Sequence, residues 1–371
     1  MTDSLLQTRL KRFRAALREI GLEAAAVLPG PNMRYLLGIN YHTSERAIAA
    51  FFRAEGDPLI ILPALEYPRV RDAMPYPLEC FPWEDTEGPA GAFADAVKAA
   101  KIGGALGVEA LNMRFHEMEL IWAGAPGIAF ASADAAFEDV RAHKDAAELT
   151  HFRDAIRISE EALERTLAAV KPGMTEKQIG RMLQAEILRG GGEMSFLLVQ
   201  GGEGTSRPHG NMSERPVGPG DLLLIDFGAM VEGYSADITR TFIMGGVAPT
   251  PRFREIYALV KAANEAGRAA CGPGVEPQTI DRAARRVIEE GGYGEYFIHR
   301  TGHGLGLEIH EPPYIIEGGT QPLEPGNVFT VEPGIYVPGL GGVRIEDNVA
   351  ITGDGAEILT SFPRELRIVG G

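Results

Sequence analysis

The sequence predicts an α+β protein of two domains: a smaller α/β domain, then a larger one built on an internal duplication. Three observations carry this. Before about residue 130, short apolar runs bounded by Pro, Gly or Asp follow one amphipathic helix stripe. After it, helix patterns come in pairs, each pair followed by strands. One strand-plus-carboxylate pattern then occurs twice at a fixed offset. A length of 371 residues allows about two domains. The boundary is placed near Phe137, giving domains 1–136 and 137–371.

The elements follow in order. Leu6, Leu10, Phe13, Leu17 and Ile20 share one helix face, and Gly21 is the stop. Ala24–Leu28, Ala47–Phe52 and Leu59–Leu62 read as strands. Arg141–Val170 reads as one long helix ended by Lys171-Pro172-Gly173. Thr175 with Gln178 is a capping box for the next helix, which Gly190 ends. Phe196–Val199 and Leu222–Phe242 read as strands. Thr250-Pro251 opens a helix to about Ala270, and another runs from about Thr279 to Glu290. Strands return from Val328.

The duplication is visible in the residues. Pro219-Gly220-Asp221 precedes an apolar tetrad, then Asp226-Phe227-Gly228. Pro325-Gly326-Asn327 precedes another, then Glu332-Pro333-Gly334, and both landmarks are offset by 106 residues. A repeated helix–helix–strand–strand unit is the simplest reading.

Composition excludes several classes. Lys+Arg number 36 and Asp+Glu 51, for a net charge of −15. Nucleic-acid backbones and anionic membranes select basic faces, so neither is an expected partner. Two cysteines, Cys80 and Cys271, cannot build a disulfide framework, which fits a reducing cytoplasm. Met1–Leu10 does not read as a signal peptide, and the best uncharged run, Ile121–Ala133, is too short to span a bilayer.

The chemistry lies in the carboxylates. Asp226 ends the apolar run Leu222–Ile225, and a carboxylate on a buried strand is costly unless paired or metal-bound. Asp237 lies past a turn around Val231–Gly233. If the loop is Val231-Glu232, the two aspartates face each other; if it is Glu232-Gly233, they are diagonal neighbours. Both registers put them on one face. Glu332, and Glu346 on an apparent return strand, copy this arrangement in the second repeat. Packed together, the repeats would bring four inward carboxylates to one centre. Such a cluster repels itself unless cations sit within it.

The glycine-rich segment His299–Pro312 supplies nitrogen. It holds His299, His303 and His310, and the glycines around His303 allow close backbone approach. Four carboxylates balance two divalent ions. A mainly oxygen site with one imidazole suits Mn²⁺, Co²⁺, Fe²⁺ or Zn²⁺. Two such ions roughly 3.5–4 Å apart activate a shared water and clamp a carbonyl, which is hydrolytic chemistry.

These residues resemble a known family. Asp226 with Asp237, Gly302-His303-Gly304, Val331-Glu332-Pro333-Gly334 and Arg344-Ile345-Glu346-Asp347 look like the pita-bread metallopeptidases of the M24 type. The run His299–Glu311, and Pro208-His209-Gly210 before Pro219-Gly220-Asp221, resemble the Xaa-Pro dipeptidase (prolidase) and aminopeptidase P branch. The resemblance covers about residues 140–365 and implies a C-terminal pita-bread (creatinase/aminopeptidase) fold. The region before it is similar to the creatinase-like N-terminal domain of that branch, which methionine aminopeptidases lack. The intact five ligand positions argue against a creatinase, and against a non-catalytic binding protein on the same scaffold.

The resemblance implies roles. Asp226, Asp237, His303, Glu332 and Glu346 would hold two ions, Mn²⁺ first and Co²⁺ or Zn²⁺ as substitutes, with Asp237 and Glu346 bridging. Glu332 would be the general base. His310, and to a lesser degree His209, would stabilise the oxyanion. His299 would shape the proline side. Arg344 would orient the ligands or meet a substrate carboxylate. The expected activity is cleavage of the bond preceding proline in short peptides, by a cytoplasmic homodimer. The short chain favours a dipeptidase over an aminopeptidase P acting on longer Xaa-Pro peptides. One departure stands out: no Lys or Arg occurs between Glu311 and Arg344, where family dipeptidases often place a carboxylate anchor. Arg46, from this chain or a partner subunit, is the expected substitute.

Overall fold

The structure, a computed structural model, describes residues 3–371. The chain divides into two compact units, one ending at Arg141 and the other running from Ala142 to Gly371. No helix among the described residues is long and apolar enough to cross a membrane.

The first unit is α/β. Its elements are α1 (Asp3–Glu19), β1 (Ala24–Val27), α2 (Pro31–Leu37), β2 (Ala49–Arg53), β3 (Leu59–Pro63), α3 (Tyr67–Ala73), β4 (Glu79–Trp83), α4 (Ala90–Ala100), β5 (Leu106–Val108), α5 (Phe115–Gly124), β6 (Phe130–Ser132) and α6 (Asp134–Ala142). One mixed sheet runs in the order β4-β3-β2-β1-β5-β6. The apolar runs are strands because burial leaves no place for alternation: every residue of β1 and β3 is buried. Phe137 on α6 stacks on Phe13 of α1, with ring centroids 4.5 Å apart. That contact carries the first unit past the expected boundary, to Arg141.

The second unit contains α7 (Ala146–Ala169), α8 (Glu176–Arg189), β7 (Glu193–Gly201), β8 (Leu222–Val231), β9 (Tyr234–Ser235), β10 (Ile238–Met244), α9 (Pro251–Ala269), α10 (Pro277–Glu290), β11 (Gly302–Gly304), β12 (Glu311–Ile315), β13 (Val328–Val331), β14 (Gly334–Val337), β15 (Gly341–Arg344), β16 (Asp347–Ile351), β17 (Ala356–Ile358) and β18 (Ile368–Val369). A helix pair and then a hairpin occur twice, as the duplication requires. One sheet runs β18-β10-β8-β7, with β9 on β8; another runs β12-β11-β13-β16-β17; β14 pairs with β15.

One expectation fails here. Arg141–Val170 is not one helix: α6 stops at Ala142 and α7 starts at Ala146. Asp145 is the cause. Its side chain accepts from the N–H groups of Ala147 (2.9 Å) and Glu148 (3.0 Å), and Glu148 accepts from its N–H at 2.9 Å. That reciprocal cap contributes about 1 kcal/mol.

Each helix pair covers one hairpin. Ile156, Leu163, Ile179 and Leu183 pack on Leu223, Ile225 and Phe227 of β8. Ile256, Val260, Ala284 and Ile288 pack near Ile335, Val343 and Ile345. Each such buried side chain contributes roughly 1.5–3 kcal/mol of transfer free energy. With the odd-numbered residues of β8 on the helices, Asp226 faces the other way.

Candidate active site

The first hairpin turns at Glu232-Gly233, whose φ values of 50° and 84° suit a tight two-residue turn. Asp226 therefore pairs with Thr239, and Asp237 sits two residues closer to the turn. The aspartates are diagonal neighbours on one face, the second of the two registers above. In the second hairpin the pairs Val331↔Asp347 and Gly334↔Arg344 leave Glu332 opposite Glu346. The second carboxylates are thus not at equivalent repeat positions, contrary to the sequence reading. The hairpins meet where the Thr239 hydroxyl donates to Glu346 (2.6 Å) and the Glu346 N–H donates to the Thr239 carbonyl (3.1 Å).

His303 enters from β11. Its flanking glycines are required: a Cβ on Gly302 would lie 1.9 Å from the Thr330 carbonyl oxygen, and one on Gly304 2.3 Å from that of Pro312. The His303 Nδ1 donates to the Gly304 carbonyl at 3.2 Å, which leaves Nε2 as the lone-pair nitrogen. Nε2 lies 3.5 Å from Asp237 and 3.4 Å from Glu332. Burial and His310 push the His303 pKa down to about 3, so the ring is neutral near pH 7. Ligand atoms of Asp237, His303 and Glu346 all lie within 4.8 Å of one another.

The carboxylates show what the cluster lacks. Burial, Glu346 and Asp226 push Asp237 well above the usual range, and burial and Glu346 do the same to Glu332. Burial and Asp226 raise Glu346 to about 7. Asp226 Oδ1 and Glu346 Oε1 are buried and have no hydrogen-bond partner among the described residues. Hard, crowded, partly unsatisfied oxygens beside a neutral imidazole fit divalent cations.

Arg344 is fully engaged. It donates to Asp226 Oδ2 (2.5 Å), Tyr336 Oη (2.7 Å) and Thr239 Oγ1 (3.1 Å), and it is 3% exposed. Tyr336 in turn donates to Nε2 of His299 at 2.8 Å, because His299 Nδ1 donates to the Arg300 carbonyl at 2.7 Å. Burial and Arg344 hold His299 neutral, with a pKa of about 3. A chain from Asp226 to His299 results, and it favours the ligand-orienting role for Arg344.

His310 packs edge-on against His303, with ring centroids 4.2 Å apart. Burial and Arg300 lower its pKa. His209 sits on the loop after β7, which Glu176 pins by accepting from the N–H groups of Gly201 and Ser213, each at 2.8 Å. His209, His299, His310, Arg344 and all five ligand candidates line one cavity of about 700 Å³, with Phe196, Leu198, Ile309 and Ile316 as apolar wall. Arg46 lies in the first unit, where it donates to Asp85 at 3.0 and 2.8 Å. Sequence reasoning missed Thr239, Tyr336 and Arg300. Thr239 was findable, being two residues from Asp237 on one strand face. Arg300 stands in the His299–His303 segment; it lines the cavity with its guanidinium 4.5 Å from the centre of the Tyr314 ring.

Comparison with known proteins decides the family. The profile of metallopeptidase family M24 matches residues 150–353, and that of the creatinase/prolidase N-terminal domain matches 9–143. The chain belongs to metallopeptidase family M24. Among M24 relatives, an Xaa-Pro dipeptidase of Lactobacillus delbrueckii subsp. lactis is 33% identical over 97% of this chain and 98% of that protein. A dipeptidase structure from Pyrococcus horikoshii OT3 superposes with a TM-score of 0.91 at 36% identity, covering 97% of this chain and 100% of that one. An X-Pro aminopeptidase from Thermotoga maritima MSB8 gives 0.83 at 31% identity, over 96% and 100%. The creatinase-like first unit and the duplicated M24 second unit are the fold that the resemblance implied.

Proposed function

We propose that this chain is a metal-dependent Xaa-Pro dipeptidase. The observation that carries the reading is the convergence of four carboxylates and the neutral His303 on one cavity, with two buried carboxylate oxygens unsatisfied among the described residues. Asp226, Asp237, His303, Glu332 and Glu346 would hold two divalent ions. Bound there, the ions would supply Lewis acidity toward water and the scissile carbonyl. The residues of the chain do the rest. Glu332, a carboxylate on the cavity lining, takes the proton from the attacking water. His310, seconded by His209, donates to the carbonyl oxygen as negative charge develops on it. The Arg344–Tyr336–His299 chain fixes Asp226 and one side of the cavity. The bond before proline lacks an N–H, and none of these groups needs one.

Manganese as the native metal, a homodimeric state and a cytoplasmic location belong to the same proposal. Mn²⁺ suits the oxygen-rich donor set, with Co²⁺ and Zn²⁺ as substitutes. The substrate carboxylate is assigned to Arg46, and Arg300 competes for that role as a cationic residue on the cavity lining. Dipeptide KM in Arg46→Ala and Arg300→Ala separates the two. The decisive experiment compares an Xaa-Pro dipeptide with an Xaa-Pro tripeptide after chelation and again after Mn²⁺ is restored. Dipeptide cleavage that needs the metal supports the reading; chelator-insensitive cleavage refutes it, and a preference for the tripeptide makes it an aminopeptidase P.

A further inference from the structure

The ladders of both hairpins are interrupted where the ligands sit. Residues 236–237 fall between β9 and β10, and residues 332–333 and 345–346 separate the β13/β16 pair from β14/β15. The N–H groups of Glu332 and Glu346 turn out of their own hairpin, to the carbonyls of Thr301 (2.8 Å) and Thr239 (3.1 Å). Each interruption also leaves other backbone groups that must find partners.

Two asparagines, each 0% exposed, meet that need. Asn264 reaches down from α9, and its amide nitrogen donates to the carbonyls of Val331 (3.0 Å) and Ile345 (3.3 Å). Those residues immediately precede Glu332 and Glu346. Asn348 reaches across from β16. It accepts from the Asp237 N–H (3.0 Å) and donates to the Asp237 carbonyl (2.6 Å), so it brackets a ligand candidate from both ends. Chemistry fixes both orientations, since only an NH₂ faces two carbonyls and only an oxygen faces an N–H. Arg268 sets the first by donating to Asn264 Oδ1 at 2.8 Å, and it also reaches Asp347 at 3.2 Å. Thr360 shares the second, accepting from the Asn348 amide at 2.9 Å.

We propose that Asn264 and Asn348 are positioning residues for the metal ligands, each standing in for the missing ladder of one hairpin. Neither lines the cavity. Asn264 fixes the spacing of Glu332 and Glu346 through the carbonyls just before them, and Asn348 fixes Asp237 through its own peptide groups. A buried amide among apolar neighbours is costly unless it satisfies something. What these two satisfy is chiefly backbone at or next to the ligand candidates. The inference rests on the reading that those carboxylates hold divalent ions.

The test is Mn²⁺ titration of metal-free protein by calorimetry, with thermal midpoints recorded in parallel. Asn264→Leu and Asn348→Leu should weaken Mn²⁺ binding roughly 10–100-fold, as loss of groups that orient ligands does. Val260→Ala, a cavity variant on the same helix, should lower the midpoint and leave the affinity unchanged. Arg268→Leu, at a residue whose side chain is 20% exposed, keeps Asn264 but frees its amide, and should weaken binding by a smaller factor. Folded asparagine variants with wild-type affinity overturn the proposal, as does equal weakening by Val260→Ala. If the asparagine variants do not fold, wild-type affinity in Arg268→Leu overturns it and weakened affinity supports it. Wild-type protein that takes up no Mn²⁺ fails at an earlier point, by removing the metal reading itself.

Discussion

Metal uptake by this protein should release protons, in an amount the carboxylates set. Burial and Asp226 raise the Glu346 pKa to about 7, and Asp237 and Glu332 are also pushed up by burial and neighbouring carboxylates. Cations bind the ionised forms, so bound protons must leave. A group titrating at about 7 is roughly nine-tenths protonated at pH 6 and one-tenth at pH 8. Glu346 alone then gives up about one proton per chain at pH 6 and about a tenth of one at pH 8; the upward shifts of Asp237 and Glu332 act in the same direction. Calorimetric titration with Mn²⁺ at pH 6, in buffers of low and high ionisation enthalpy, reads the count directly. Stability follows with a fixed sign. Carboxylates whose folded pKa is raised stabilise the metal-free fold below the ordinary carboxylate range, and that contribution is lost as pH rises through about 7. The metal-free midpoint should therefore fall between pH 5 and 8, and Glu346→Gln should flatten the fall. A binding enthalpy independent of buffer at pH 6 would refute the reasoning.

Four further outcomes are expected. Asp237→Ala should abolish metal retention and activity together, read by metal analysis of the purified variant; full activity would sink the site assignment. His310→Ala should lower kcat roughly 10²–10³-fold with metal content intact, as for a lost oxyanion donor, and parallel metal loss would make it a ligand instead. Lys144→Met removes the ammonium 2.5 Å from the buried Glu311 carboxylate and should cost about 3–5 kcal/mol in denaturant unfolding. Lys261→Ala, at an exposed pair with Glu365, should cost about 1 kcal/mol or less.

Much of the site was legible because its signals are local. The apolar tetrad before Asp226 and the glycines around His303 are short-range patterns with one physical cause each, burial and close approach. The break between α6 and α7 was equally local, in Asp145 and Glu148, but the apolar periodicity on both sides masked it. Asn264 and Asn348 carry no such signal. Each is a polar residue at an otherwise buried position, and its meaning depends on backbone far away in sequence: Asn264 serves Val331 and Ile345, and Asn348 serves Asp237. Tyr336 is of the same kind, an aromatic strand residue whose hydroxyl joins Arg344 to His299 only once the hairpin has closed.

The two hairpins also show why a duplicated sequence need not give a symmetric site. The first turns on two residues, Glu232-Gly233, and the second on three, 338–340, between the paired Val337 and Gly341. That one-residue difference makes Glu346, rather than its neighbour, the partner of Glu332, while in the first hairpin Thr239 partners Asp226. The ligand candidate Asp237 is then displaced two residues toward the turn. A displacement of two keeps the side chain on the same face, whereas one residue would bury it against the helices. Thr239, left at the position that corresponds to Glu346, has no room to be a second carboxylate: its hydroxyl already donates to Glu346 and accepts from Arg344. Four carboxylates and one histidine are therefore gathered without placing like charges opposite each other in both hairpins, and the residue that replaces the missing charge holds the remaining one in place.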